Sequence, residues 1–149
     1  MNLAAEDTTL EITRLFDAPP ERIFAAWLNR EEFEAWIGPE GVNCEVPLLE
    51  PRVGGRYRIL MRLTDGRILP VAGVFKTIDA PKSLAFTWVW ESDPSRDSLV
   101  TITLREKGRQ TELTLRQEGL GSVSNRDGHG QGWNSALNKL GGYLAKSGQ

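Results

Sequence analysis

The chain has one histidine and one cysteine, His129 and Cys44, and these are its first candidates for a reactive centre. A histidine can transfer a proton in catalysis or orient a ligand through a hydrogen bond. A catalytic histidine usually has a carboxylate or nucleophile within hydrogen-bond reach. Asp127 would point elsewhere on a helix, and Glu45 is the best remote candidate, although a solvated strand residue explains it better. Three roles remain open for His129: structural, pocket-lining and catalytic. Because no partner for proton transfer can be named, we predict no catalytic residue.

The sequence gives little support for a metal site, a cofactor site or a nucleophilic residue. Cys44 alternates with Val46 and Leu48 on a predicted strand, where a small buried thiol is the ordinary explanation. A zinc site needs three or four Cys, His or carboxylate ligands, and this chain has one cysteine and one histidine. The segment from Gly128 to Gly132 lacks the spacing and the terminal Lys-Ser/Thr of a phosphate-binding loop. We predict neither a metal nor a cofactor.

The surroundings of His129 indicate a helix that packs inward. His129 lies four residues before Trp133, and the apolar spacing continues through Leu137, Leu140 and Leu144, which places these residues on one helical face. The glycines between Gly128 and Gly132 each cost roughly 1 kcal/mol relative to alanine within a helix. A weak helix start is acceptable where close approach or free space is needed. We interpret this segment as the lid of a cavity.

Hydrophobic periodicity and turn residues predict the other elements. A strand runs from Thr8 to Asp17, and prolines then begin a first short helix. Asn29 caps a second short helix, with Glu32 three residues on as in a capping box, and Trp36-Ile37-Gly38-Pro39 ends it. Six strands follow between turn signals: Val42 to Glu50, Arg56 to Leu63, Ile68 to Ile78, Leu84 to Trp90, Leu99 to Glu106 and Thr111 to Glu118.

A last helix, capped by Ser124, is predicted to run to about Lys146. The order is thus one strand, two short helices, six antiparallel strands and one long helix. Curving the sheet around the long helix buries the apolar faces of both. The sequence therefore predicts an α+β fold in which a strongly curved, seven-stranded antiparallel sheet wraps around the C-terminal helix.

Alternation along these strands places aromatic side chains between sheet and helix. Large aromatics around a void, with a few polar tips, suit a planar or lipid-like ligand. The alternative is a filled core, in which the same side chains pack on one another. His129 and Tyr57 are the predicted polar contacts. The predicted ligand-binding residues are Trp36, Tyr57, Ile59, Phe75, Phe86, Trp88, Trp90, His129, Trp133 and Leu137.

Composition limits the class of protein. With 149 residues, 40% of them hydrophobic and 26% charged, the chain fits a single domain over residues 1–149. A net charge of -2 argues against a nucleic-acid binder. No apolar run approaches the roughly 18 residues of a membrane span, and the start lacks the features of a signal peptide. We expect a cytoplasmic protein, either a monomer or a homodimer, that does not insert into membranes.

Five segments, in this order, resemble the motifs of one family: Thr9 to Trp27, Trp36 to Gly41, Pro51 to Tyr57, Gly73 to Phe75 and His129 to Trp133. The family is the START-like, birch-pollen-allergen-like (SRPBCC) superfamily. The resemblance is to the branch similar to the C-terminal domain of the activator of the ninety-kilodalton heat-shock ATPase. It implies a helix-grip fold with an apolar cavity, in which many relatives bind lipids, polyketides or hormones.

The fold alone does not decide function, because one scaffold hosts carriers, cyclases and co-chaperone domains. Our leading hypothesis is a protein that binds a small apolar molecule, lipid-like or aromatic, and that is more a binder than an enzyme. The resemblance also implies possible docking to a heat-shock chaperone. In that case the outer sheet face, with Arg56, Arg58 and Arg62, would matter more than a cavity. A polyketide cyclase-like enzyme is the third hypothesis, and no acid-base pair supports it.

Overall fold

An antiparallel sheet and a long C-terminal helix form the framework of the computed structural model, which describes residues 5–94 and 96–147. A short 3-10 helix, Ala5–Thr8, precedes the first strand. The strands are β1 (Leu10–Phe16), β2 (Asn43–Leu49), β3 (Arg56–Arg62), β4 (Ile68–Asp79), β5 (Ser83–Trp90), β6 (Asp97–Lys107) and β7 (Gln110–Glu118). The helices are α1 (Pro20–Leu28), α2 (Arg30–Trp36) and α3 (Val123–Ser147).

The sheet order explains why two short helices interrupt the strands. Across the sheet the strands follow the order β1, β7, β6, β5, β4, β3 and β2, and every neighbouring pair is antiparallel. Consecutive β1 and β2 therefore lie at opposite edges, and α1 and α2 connect those edges. The curved sheet and the long α3 confirm the predicted α+β helix-grip fold.

Local sequence signals set the ends of α1 and α2. Pro20 occupies the first turn of α1, where its missing N–H breaks no helical hydrogen bond. Asn29 ends α1 and begins α2, and its side-chain oxygen accepts a hydrogen bond from the Glu32 amide at 3.0 Å. This contact confirms the predicted cap. The chain then turns through Gly38, whose φ of +87° lies in the left-handed region that favours glycine.

The core lies between the inner face of the sheet and α3. On β3, Tyr57, Ile59 and Met61 are buried while Arg56 and Arg62 are exposed, as strand alternation predicts. On α3, the apolar face from Trp133 to Leu144 is buried as its helical spacing predicts. The two faces cover each other, which removes both from water.

The predicted cap of α3 was wrong by two residues. The helix begins at Val123, and Ser124 is exposed in its first turn. Ser122 is the residue before the helix, and its hydroxyl accepts a hydrogen bond from the Asn125 amide at 3.1 Å. The sequence offers a serine at both positions, and the backbone path out of β7 decides which one stands at the helix boundary.

This correction predicts different effects for the two serines. Replacing Ser122 with alanine should lower the free energy of unfolding by about 1 kcal/mol, because one first-turn amide loses its acceptor. The matched control Ser124→Ala should change it by less than about 0.5 kcal/mol, as for an ordinary surface site. Urea denaturation of the two variants measures both values, and a larger loss in Ser124→Ala would restore the original assignment.

Candidate functional site

A cavity of about 260 Å³ lies between α3 and one end of the curved sheet. One wall is the connection after α2, which contributes Ile37, Gly38, Pro39 and Val42, and the opposite wall is α3. The remaining lining residues are Met61, Leu63, Leu69, Trp88, Trp90, Gly128, His129, Gly132, Trp133 and Ala136. Apolar groups thus form nearly all of the lining, and His129 is its one ionisable side chain among the described residues.

The glycines of α3 serve two different purposes. A side chain at Gly128 would meet no atom within 4 Å, and one at Gly132 would first meet Pro39 at 3.9 Å. Both glycines line the cavity and leave its volume open. Gly130 instead faces Leu10, whose Cδ1 would lie 3.2 Å from an added Cβ. The glycine-rich segment therefore combines free space at two positions with close packing at the third.

Hydrogen bonds fix the ring of His129 in one protonation form. Its Nδ1 lies 2.8 Å from the Asn125 carbonyl oxygen, and its Nε2 lies 3.0 Å from the indole Nε1 of Trp90. A carbonyl only accepts and an indole N–H only donates. Nδ1 must therefore carry the proton, while Nε2 accepts from Trp90. The imidazole is neutral in this arrangement, because a second proton on Nε2 would face the indole N–H.

The two carboxylates considered as partners of His129 are engaged with arginines instead. Glu45 forms an ion pair with Arg62 at 2.6 Å, and Asp127 forms one with Arg126 at 3.0 Å. Both ring nitrogens of His129 are occupied by groups that are not acids. The arrangement favours a structural or ligand-orienting role for His129 over proton transfer.

A second, more polar cavity of about 160 Å³ adjoins the Trp90 and His129 pair. Trp88, Trp90 and His129 line both cavities. The second cavity adds polar residues, namely Ser92, Asp93, Arg96, Ser98 and Asn125. The hydrogen-bonded pair thus stands on the boundary between an apolar space and a polar one.

A buried hydrogen-bond chain holds the tryptophans of the cavity wall. The indole N–H of Trp133 donates to Gln117 Oε1 at 2.8 Å, and Gln117 Nε2 donates to the Ser98 hydroxyl at 2.8 Å. Ser98 in turn donates to the Trp88 carbonyl at 3.1 Å. Gln117 is fully buried and uses both ends of its amide, so it links α3 to β6, and Ser98 extends the chain to β5.

Four of the ten predicted ligand-binding residues line the apolar cavity of about 260 Å³: Trp88, Trp90, His129 and Trp133. The other six lie in the core beside it. Ile59 and Leu137 are fully buried, and the indole N–H of Trp36 donates to the Ala26 carbonyl at 3.0 Å. Phe75 and Phe86 pack with Tyr57 at ring-centroid distances of 5.6 Å. One part of the inner face thus lines a pocket, and another part is closely packed.

Tyr57, predicted as a polar contact for the ligand, does not line the apolar cavity. The ring lies over Gly73, where any side chain would collide with it, and its hydroxyl donates to the Thr87 carbonyl at 2.6 Å. Burial raises the pKa of the Tyr57 phenol well above its ordinary value of 10.0. This hydroxyl is therefore neutral, satisfied within the sheet and committed to the fold.

Several lining residues were missed from the sequence. Ala136 lies one turn after Trp133 on the same helical face, and that spacing was a usable signal. The segment from Ile37 to Val42 carried no such signal, because it forms the connection between α2 and β2. Val42, predicted as the first residue of a strand, lies just before β2. Met61, Leu63 and Leu69 reach the cavity from the hairpin of β3 and β4. Only the curvature of the sheet brings that hairpin under the start of α3.

Cys44 has the properties of a packed thiol. Its sulfur lies against Gly38, where an added Cβ would collide with it. Desolvation by burial raises the pKa of the thiol from 9.0 to about 11. The thiolate, which is the nucleophilic form, is therefore scarce at neutral pH. This supports the interpretation of Cys44 as a small packed residue, although the structure leaves it only partly buried.

The raised pKa predicts slow alkylation of Cys44. At pH 8 the folded protein should react with iodoacetamide about 100-fold more slowly than the urea-unfolded protein, because its thiolate fraction is lower by that factor. The folded rate should keep rising about tenfold per pH unit up to pH 10, while the unfolded rate levels off near pH 9. Mass spectrometry of quenched samples measures both rates, and equal rates at pH 8 would contradict the assignment.

Two further features concern the described residues only. Within residues 5–94 and 96–147, no helix is both long and apolar enough to cross a membrane. In the same part of the chain, no three His, Cys, Asp or Glu side chains come together as a metal ion would require.

Comparison with known proteins identifies the family. Residues 17–145 match the family model described as "Activator of Hsp90 ATPase homolog 1-like protein". The AHSA1 protein from Silicibacter pomeroyi is 30% identical, with 93% of this chain and 99% of that chain covered and a TM-score of 0.83. A protein from Chromobacterium violaceum is 27% identical, covering 91% and 95% respectively, with a TM-score of 0.84.

More distant similarity extends to CalU16 from Micromonospora echinospora, which is 25% identical with 91% of this chain and 75% of that chain covered and a TM-score of 0.69. A search of curated proteins finds no match. The family model spans most of the chain and agrees with the helix-grip fold and with the predicted resemblance. The chain belongs to the family of activator of Hsp90 ATPase homolog 1-like proteins.

Proposed function

We propose that this protein binds a small apolar molecule in the cavity between α3 and the sheet. The observation that carries the proposal is the cavity of about 260 Å³ with its nearly continuous apolar lining. Protein interiors are close-packed, and voids larger than a water molecule are few. A void of this size forfeits contacts along its walls. A bound apolar molecule restores those contacts.

The size and shape of the cavity set the ligand class. An apolar cavity of about 150 Å³ is large enough to bind benzene. The larger volume here suits a molecule of about two rings, or a short lipid-like chain, and falls just below the usual range for drug-sized ligands. Trp88, Trp90 and Trp133 offer ring faces and edges at the wall, which favour an aromatic ligand.

Two glycines of α3 contribute to the volume of the cavity. Gly128 and Gly132 line it, and an added Cβ would meet no atom within 4 Å at Gly128 and only Pro39, at 3.9 Å, at Gly132. Packing therefore does not require glycine at either position. The absence of a side chain there leaves space that a ligand can occupy.

The proposal predicts that a larger side chain at Gly132 blocks binding. Gly132→Leu should place its side chain in the cavity and abolish binding of naphthalene, while removing a helical glycine offsets part of any steric cost. Gly142→Leu is the matched control, because Gly142 is an exposed glycine of the same helix with no atom within 4 Å of an added Cβ. Its affinity for naphthalene should equal that of the wild type.

Isothermal titration calorimetry with naphthalene, together with thermal melting of each variant, measures these effects. The wild type should bind one equivalent. Wild-type affinity in a folded Gly132→Leu variant would place the ligand elsewhere. Absence of binding by the wild type to naphthalene and also to its hydroxylated analogue 2-naphthol would contradict the proposal.

A second candidate function is docking to a heat-shock chaperone, and the description of the matched family supports it. The outer face of β3 would provide the contact. Arg58 is paired there with Glu91 through two hydrogen bonds of 2.8 and 2.9 Å, and Arg56 lies 3.7 Å from Glu50. These pairs neutralise much of the positive charge on that face. Steering of an acidic partner by this face is therefore weak.

Charge reversal tests this second candidate. The double variant Arg56→Glu, Arg58→Glu should lose co-precipitation with a purified Hsp90-class chaperone if this face is the contact. Its melting temperature should change little, because exposed ion pairs contribute at most about 1 kcal/mol. The control Arg105→Glu reverses a charge that is 69% exposed on β6 and should leave co-precipitation intact. Equal binding by all forms would remove β3 from consideration.

A further inference from the structure

Trp90 and His129 both line the two cavities, and they form a hydrogen bond with each other at the boundary. Among the described side chains that line both cavities, they are the one pair in which a group that only donates meets a group that only accepts. The Trp90 indole can only donate, and the Nε2 of neutral His129 can only accept. A group that separates the two rings must therefore replace both functions. If it replaced only one, the other would be left unpaired in a half-buried site at a cost in affinity.

A hydroxyl group replaces both functions with one atom. Its oxygen accepts a hydrogen bond from the Trp90 N–H, and its proton is donated to His129 Nε2. An ether or ketone oxygen satisfies Trp90 and leaves His129 without a donor. A carboxylate has the same defect and adds a charge next to an apolar space. Among simple neutral oxygen groups, the alcohol or phenol fits this pair.

The surrounding space permits the insertion. The present separation of 3.0 Å between the two nitrogens must grow by on the order of 2 Å to admit an oxygen at hydrogen-bond distance from both. Trp90 is only half-buried, and the second cavity of about 160 Å³ adjoins both rings. The second cavity therefore offers space into which the Trp90 ring can move. The Asn125 carbonyl holds the opposite side of the imidazole, which keeps Nε2 an acceptor.

We propose that the ligand of this protein is a hydroxyl-bearing apolar molecule, such as a two-ring phenol, whose hydroxyl inserts between Trp90 Nε1 and His129 Nε2. This inference rests on the proposed function, since the rings of the ligand occupy the apolar cavity. It adds a specificity rule that the cavity volume alone does not give. The pair of Trp90 and His129 selects for a group that both donates and accepts.

Three matched probes test the rule: naphthalene, 2-naphthol and 2-methoxynaphthalene. In the wild type 2-naphthol should bind about 2- to 10-fold more tightly than 2-methoxynaphthalene. Its hydroxyl forms two hydrogen bonds in place of the one it breaks, and one neutral hydrogen bond is worth about that factor. The methyl ether keeps the acceptor and removes the donor. The ratio of the two dissociation constants is the measured quantity.

Two variants separate the donor from the acceptor. In Trp90→Phe the His129 Nε2 is left free, so the phenol still donates to it and the ratio should stay at about 2- to 10-fold or rise. In His129→Leu the Trp90 N–H is left free, and both probes can accept from it. The ratio should then fall to about one. The two substitutions at one contact thus have opposite expected effects, which a general loss of packing would not produce.

Nuclear magnetic resonance keeps the test valid if a variant does not fold. In the wild type, 2-naphthol should shift both the Trp90 indole N–H and the His129 Nε2 resonances, whereas naphthalene should leave their mutual hydrogen bond intact. A ratio near one in the wild type, or a wild-type ratio in folded His129→Leu, would overturn the hydroxyl rule. If naphthalene binds but the ratio is near one, the hydroxyl rule fails and the proposed function stands. If neither naphthalene nor 2-naphthol binds, the hydroxyl rule and the proposed function both fail.

Discussion

The packing of one helix across the concave face of the sheet is the constraint on which the structure depends. Towards its C-terminal end α3 presents Leu137, Leu140 and Leu144, which are buried and fill the space beneath them. Towards its N-terminal end, Gly128 and Gly132 lie at the edge of this face, where they leave space. Burial of the leucines stabilises the helix, each contributing on the order of 2 kcal/mol. That anchoring permits the weaker, glycine-rich turns above the cavity.

The aromatic residues also fall into two groups, one closely packed and one lining the cavity. Tyr57, Phe75 and Phe86 pack tightly with one another and leave a void of only about 10 Å³ among them. The open cavity is instead lined by three tryptophans, Trp88 and Trp90 on β5 and Trp133 on α3. The buried chain of Gln117 and Ser98 holds the backbone of Trp88 and the ring of Trp133 in place. Hydrogen bonds thus position the rings of Trp90 and Trp133 in the wall, whereas the Trp88 ring is held by packing and by its backbone.

The polar groups near the cavity show which side chains are free to meet a ligand. Tyr57 uses its hydroxyl within the sheet, and Cys44 is protonated by virtue of its burial. His129 and Trp90 satisfy only each other at the cavity boundary, in a contact that is half-buried. Exchange of such a contact for one with a ligand costs less than disruption of a buried network. The polar groups that a ligand can reach in this cavity are therefore that pair and the buried indole N–H of Trp88, which has no hydrogen-bond partner among the described residues.

The sequence by itself determined the fold, the caps of the short helices and the inward face of α3. Strand alternation, the proline at the start of α1 and the Asn29 cap are local signals, because neighbours along the chain decide them. The same signals identified Trp88, Trp90, His129 and Trp133 as inward-facing residues.

Tertiary structure decided which inward residues meet a cavity and which fill the core. It also paired Trp90 with His129 across 39 positions, brought the segment from Ile37 to Val42 under α3 and chose Ser122 over Ser124 as the cap. These outcomes depend on sheet curvature and on distances between residues far apart in the chain. Periodicity within one element shows which face is buried, but the partner of that face is set by packing between elements.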